Sequence, residues 1–234
     1  MLDQQNRQQF LDHLAAQLGR PPRKTVAGHY SNVTAQPTTR LTDLTADQRC
    51  EEFVKVAQEV MAVECSITTP GEAAAALLAL CEQQHGGDVI LNDDPRLNQY
   101  GLTQAVQAHY PTHIWSAQSA VENRTFAEKA NIGIVFAEYG LVESGGVVLY
   151  SAAERGRSSS LLPQVSIVVI NKSSIQPRVA QVAEILHQQA AQGVRMPSCI
   201  NIISGPSSTA DIELVKVIGV HGPIKQIYLI IDDL

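Results

Sequence analysis

The chain has 234 residues, enough for one large domain or two small ones and enough to bury a core without a metal or disulfide staple. Seventeen Lys and Arg against 23 Asp and Glu leave a net charge of −6, which argues against nucleic acid or anionic lipid as partner, since both need a concentrated positive field. Only 17% of the residues are charged, below the roughly 25% usual for soluble domains, a mild pointer to surface covered by a partner.

Residues 3–18 read as an amphipathic helix, with Phe10, Leu14 and Leu18 on one stripe and Gly19 followed by Pro21-Pro22 ending it. From Arg20 to Thr45 the chain is rich in Pro and Thr and reads as an extended linker, so residues 1–45 form a helical arm. That arm either docks on its own domain or reaches a neighbouring chain. Residues 46–234 are the body. Cys50, Phe53, Val54 and Ala57 fall at helical spacing, Val63 to Thr68 reads as a strand, and Thr69-Pro70-Gly71-Glu72 has the form of a helix start, with Thr69 as N-cap and Glu72 closing a capping box.

The longest apolar run, Ala73 to Cys81, is about half of a bilayer span, so no membrane span is expected. The N-terminus lacks the pattern of a secretory signal, and a cytoplasmic location is expected. Gly86-Gly87 stops the helix before a strand at Asp88 to Leu91. After a polar stretch come a strand at His113 to Ser116, a helix at Ala120 to Ala130 and apolar runs at Ile132 to Ala137, Val147 to Tyr150 and Val165 to Ile170. Pro177 opens a further helix, and Ile200 to Ile203 and Ile227 to Ile231 complete the set. Short apolar strands alternating with helices predict an α/β fold on a mostly parallel sheet, with an antiparallel hairpin where Gly140 and Gly145-Gly146 interrupt the segment Glu138–Tyr150.

Three segments offer chemistry. In Glu138-Tyr139-Gly140-Leu141-Val142-Glu143-Ser144-Gly145-Gly146, Glu143 is a candidate base or nucleophile and the amides around Ser144 and Gly145 can meet an anion; the same residues equally describe an ordinary hairpin. In Glu154-Arg155-Gly156-Arg157, Arg155 is a candidate clamp for a carboxylate or phosphate, or part of a solvated loop. In Ser204-Gly205-Pro206-Ser207-Ser208-Thr209-Ala210-Asp211, a strand-to-helix turn with a helix opening near Ala210 would aim amides at an anion, with Gly205, Ser207, Ser208, Thr209 and Asp211 lining it and Ser208 to Asp211 as a capping box. His221, in Val220-His221-Gly222-Pro223, is the histidine held in a turn nearby. Cys50, Cys65, Cys81 and Cys199 are too far apart in sequence for a zinc or iron–sulfur motif, and no metal or cofactor is expected within this chain.

These three segments, together with Gly219-Val220-His221-Gly222-Pro223 and the Leu18-Gly19-Arg20-Pro21 end of the first helix, closely resemble the lactate-utilisation protein C family, whose domain is called LUD. The resemblance covers essentially the whole chain. It implies a layered, Rossmann-like sheet akin to the sugar-phosphate isomerase and CoA-transferase group. It also implies a non-redox component that acts with two iron–sulfur partner proteins in oxidising L-lactate to pyruvate, the cluster ligands belonging to those partners. It carries over no catalytic residue. The alternatives are an independent CoA-transferase or isomerase-like enzyme using Glu143, and a metabolite-binding protein with an anion pocket.

Overall fold

A computed structural model describes residues 4–22, 33–210 and 215–234. The chain divides into two compact units, Met1–Ala35 and Gln36–Leu234. In the first, helix α1 spans Gln4–Gln17, and Phe10 and Leu18 of its apolar stripe are exposed. The second begins with a single helical turn, α2 (Gln36–Thr39), and then α3 (Ala46–Glu59). Thr45 caps α3 in a complete capping box with Gln48.

In chain order there follow β1 (Glu64–Thr68), α4 (Ala73–Gln83), β2 (Val89–Leu91), α5 (Pro95–Gln99), α6 (Leu102–His109), β3 (Thr112–Ile114), α7 (Ala120–Ala127), β4 (Ile132–Phe136), β5 (Tyr139–Leu141), β6 (Gly146–Tyr150), α8 (Ser158–Leu161) and β7 (Val165–Asn171). A 3₁₀ turn at Lys172–Ser174 leads to β8 (Ile175–Gln176), α9 (Val179–Ala191), β9 (Ile200–Ile203), β10 (Ser208–Ala210), β11 (Lys216–Ile218) and β12 (Lys225–Ile231). None of the described helices is long and apolar enough to cross a membrane.

Six strands form one fully parallel sheet in the order β1-β12-β7-β4-β2-β3. Its inner strands are buried on both faces, which is why β7 and β12 read as nearly unbroken apolar runs. On one face Ile134, Ile167 and Leu229 pack with Leu77 of α4 and Val106 of α6. On the other, Val168 and Tyr228 pack with Phe53 of α3 and Val147 of β6.

The glycine-marked hairpin is present, but it does not insert into the parallel sheet. It forms a second sheet, β8-β5-β6-β9, laid over the second face. Because alternate residues of a strand face opposite ways, Val147 and Leu149 turn toward the parallel sheet while Val148 and Leu141 pack under Val182 of α9. The sheet therefore carries a covering helix of its own.

Two local expectations are corrected. Thr69 does not cap α4. Its hydroxyl bonds the Glu72 carboxylate side chain to side chain at 3.1 Å, and the helix starts at Ala73 without a side-chain cap. No helix opens at Ala210: Ser208–Ala210 is a strand paired antiparallel with Lys216–Ile218, a pairing the Thr and β-branched residues of both segments favour.

Candidate functional site

Ligands of open parallel sheets bind beyond the carboxyl ends of the strands. At that edge β2 runs into Asn92-Asp93-Asp94 and β4 into Ala137-Glu138, while the loop after β6 brings Arg155 over both. Asp94 sits there because it caps α5: its carboxylate accepts from the Arg96 amide, with Pro95 in the first turn. The Arg155 loop is held in place by three contacts. The Asp93 amide donates to the Glu154 carbonyl at 3.1 Å, the Trp115 indole donates to the Ala153 carbonyl at 3.0 Å, and Gly156 lies flat against the Trp115 ring, where any Cβ would collide with it.

The result is a four-residue ion lattice. Arg96 grips Asp94 with Nε and Nη2 at 2.9 and 2.7 Å, and Glu138 with Nη1 and Nη2 at 2.8 and 3.0 Å. Its guanidinium also lies over the Phe136 ring at 4.5 Å. Arg155 Nη1 donates to Glu138 Oε1 at 2.5 Å and stands 3.6 Å from Asp94. Burial opposes ionisation of Asp94, but the hydrogen bonds and charge of Arg96 outweigh it and hold the carboxyl below its ordinary value. Burial likewise works against the Arg96 charge, and Asp94 and Glu138 overcome it. These residues line an open cleft of about 680 Å³ with Tyr150, whose phenol burial pushes up to about 12. Among the described residues, Arg155 makes no side-chain hydrogen bond through Nε or Nη2, so one edge of its guanidinium remains for a ligand.

The candidates from sequence separate into three places. Arg155 belongs to the carboxyl-edge cleft. Gly205, Ser207 and His221 line a smaller cavity that includes Ser166 and Gln226, near the amino ends of β7 and β12. Since a strand rises about 3.3 Å per residue, the two edges of β7 are some 20 Å apart. Glu143 and Ser144 follow β5 and line neither hollow. The Glu143 carboxylate accepts from Arg178 Nε at 2.6 Å and is 3.6 Å from Arg40, and Arg178 also donates to the Gln36 carbonyl. Glu143 thus ties the 36–40 segment to the hairpin. Gly145, at φ +57°, and Gly205, at φ +80°, press backbone to backbone against α3 and the residues after it: a Cβ would stand 2.7 Å from the Ala57 nitrogen and 2.4 Å from the Met61 oxygen. Ser208 and Thr209 are exposed on β10, and Asp211 lies outside the described residues.

Sequence reasoning missed Asp94, Arg96 and Glu138 as a unit. Asp94-Pro95 carries a helix-start signature inside what was read as a polar stretch, but nothing local links it to Glu138, more than 40 residues on. All four cysteines are free thiols, and burial pushes Cys65 and Cys81 up to about 12.

An open, fully parallel sheet with helices on both faces, a second sheet laid over one of them and a polar lattice at its carboxyl edge defines a layered α/β protein with an open cleft at the strand ends. The chain belongs to the LUD domain family, which matches residues 50–231. It is 50% identical over 228 residues to the uncharacterized protein YkgG of Escherichia coli K12, covering 97% of this chain and 99% of that one. It is 39% identical to lactate utilization protein C of Geobacillus kaustophilus, with 97% of each chain covered, and 39% identical to that of Bacillus subtilis, with 98% and 97% covered. Among solved structures, a DUF162 family protein from Deinococcus radiodurans superposes with a TM-score of 0.57 at 17% identity, over 80% of this chain and 99% of that one; that likeness concerns the fold.

Proposed function

We propose that this protein serves lactate utilisation, as a cytoplasmic, non-redox component acting with two iron–sulfur partner proteins that oxidise L-lactate to pyruvate and carry the clusters themselves. The supporting observation is the end-to-end similarity to lactate utilization protein C, in which almost no part of either chain is left unmatched. We assign the small carboxylate to the carboxyl-edge cleft. There Arg155 offers Nε and Nη2 to an incoming carboxylate in the paired geometry guanidinium favours, while Arg96 keeps the neighbouring acids neutralised. Glu143 is a bridge in this account and not a nucleophile, because its carboxylate is already spent on Arg178 and Arg40.

Deleting the gene in its own host, in a strain without a second copy, tests the proposal. Growth on L-lactate as sole carbon source is lost and returns when the gene alone is restored. Undiminished growth of the deletion strain on L-lactate overturns it.

A further inference from the structure

The amino-edge cavity has a floor built from two side chains that the fold itself does not need to be polar. On the face of the parallel sheet covered by the second sheet, Val135, Val168 and Tyr228 form one apolar row, and the next row toward the amino ends is Gly133, Ser166 and Gln226. Ser166 and Gln226 are direct partners across β7 and β12, and they are 1% and 2% exposed. Among the described residues neither the Ser166 hydroxyl nor the Gln226 Oε1 has a hydrogen-bond partner, and both residues line the cavity. Buried polar atoms in folded proteins are almost always satisfied, so two adjacent unsatisfied ones facing the same hollow mark a place meant for something else.

The walls are set before any ligand arrives. Gly133 lets α8 settle onto the sheet, since a Cβ there would stand 1.9 Å from the Ser159 carbonyl oxygen, and Ser160 and Leu161 of that helix form one wall. Opposite, the turn carrying Pro206 and Ser207 is bonded to the turn carrying His221 and Pro223, Ser207 N–H to the Pro223 carbonyl at 2.9 Å. Ile224 N–H to the Gln164 carbonyl, also 2.9 Å, fixes the second turn to the start of β7. His221 is exposed at the mouth.

We infer that this cavity is a binding site for a compact uncharged heterocycle or aromatic amide that presents an N–H beside a C=O. Its volume of about 200 Å³ is somewhat above the roughly 150 Å³ that holds benzene in an engineered protein cavity. Leu161, Ile203, Pro206 and Pro223 supply flat apolar surface for a ring. At the floor, the Gln226 oxygen accepts the ligand's N–H and the Ser166 hydroxyl donates to its carbonyl. Among the described residues no Lys, Arg, Asp or Glu lines the cavity, so a charged ligand would lose its hydration without a counter-charge. The site is separate from the carboxyl-edge cleft and does not depend on the lactate proposal.

The test is thermal-shift and calorimetric titration of the purified full chain with nicotinamide and with uracil, beside L-lactate and inorganic phosphate. At least one of the first two raises the melting temperature in a concentration-dependent way. Gln226→Leu and Ser166→Ala each weaken that binding at least tenfold, while the unliganded variants melt no lower than the parent, because each removes an orphaned oxygen. Binding of phosphate or lactate that Gln226→Leu abolishes would make this an anion site and overturn the inference. So would failure of both nicotinamide and uracil to bind at millimolar concentration, binding that neither variant alters, or a high-resolution crystal structure in which ordered water satisfies both oxygens and persists in the presence of these compounds.

Discussion

Arg96 and Glu138 meet in a two-pronged ion pair, at 2.8 and 3.0 Å, that joins the start of α5 to the end of β4 across the carboxyl edge of the parallel sheet. The same guanidinium holds Asp94, whose side chain is only 2% exposed. Removing the cation therefore strands a buried carboxylate. Arg96→Met is expected to lower stability by about 3 kcal/mol, because a buried ion pair that loses one member leaves an uncompensated charge. For a chain of this size that corresponds to a fall of roughly 6–12 °C in melting temperature, read by calorimetry.

Acid should act on the same lattice. The folded Asp94 carboxyl lies below its ordinary value of 3.8, so its contribution to stability is fully present above that value and is lost as the pH falls through the lower, folded one. Lys172 behaves oppositely: the hydrogen bonds it donates to the Asp47 and Asp232 carboxylates raise it above its ordinary 10.5, and its contribution is present at neutral pH and lost only in strong alkali. Urea midpoints measured from pH 7 to pH 2 should fall most steeply below pH 4, and Asp94→Asn should flatten that part of the curve.

Glu143→Gln separates a bridge from a nucleophile. Loss of the charge on the Arg178 contact is expected to cost about 1 kcal/mol, with Arg40 contributing little because it is well exposed. Mass spectrometry after incubation with acyl-CoA and acceptor acids should detect no thioester at Glu143 in the parent protein. A trapped Glu143 adduct would return the transferase reading.

Gly205→Ala is expected to destabilise by about 2–4 kcal/mol, since the backbone is at φ +80° and the new methyl would meet the Met61 carbonyl. A lowered urea midpoint with an unchanged slope would identify the effect as lost native stability.

Much of this architecture was legible in the sequence, for reasons that also explain what was not. Cys50, Phe53 and Ala57 announce α3 because three- and four-residue spacing puts them on one face, and all three are buried. The runs at Val165 to Ile170 and Ile227 to Ile231 announce buried parallel strands. Leu102 and Val106 carry the same helical signal for α6, but the polar residues around them obscure it. The glycines of Tyr139–Tyr150 revealed a hairpin but could not say which sheet it joins, because apolar strands look alike whichever partner buries them. Gly145 and Gly205 drew attention as possible anion-binding amides, whereas their structural work is close approach to α3 and the turn after it. Ser166 and Gln226 were invisible as a pair: each is a single polar residue in an apolar strand, and only the register of β7 with β12 puts them side by side.

L-lactate-dependent pyruvate formation, measured in extracts of a deletion strain that lacks other lactate dehydrogenases, bears most directly on the proposed role. Purified protein added back should restore the rate, and Arg155→Met protein should restore roughly 30-fold less at limiting lactate, the equivalent of about 2 kcal/mol for a lost guanidinium–carboxylate contact. Pyruvate formed at the parental rate in extract that contains none of this chain would contradict the account.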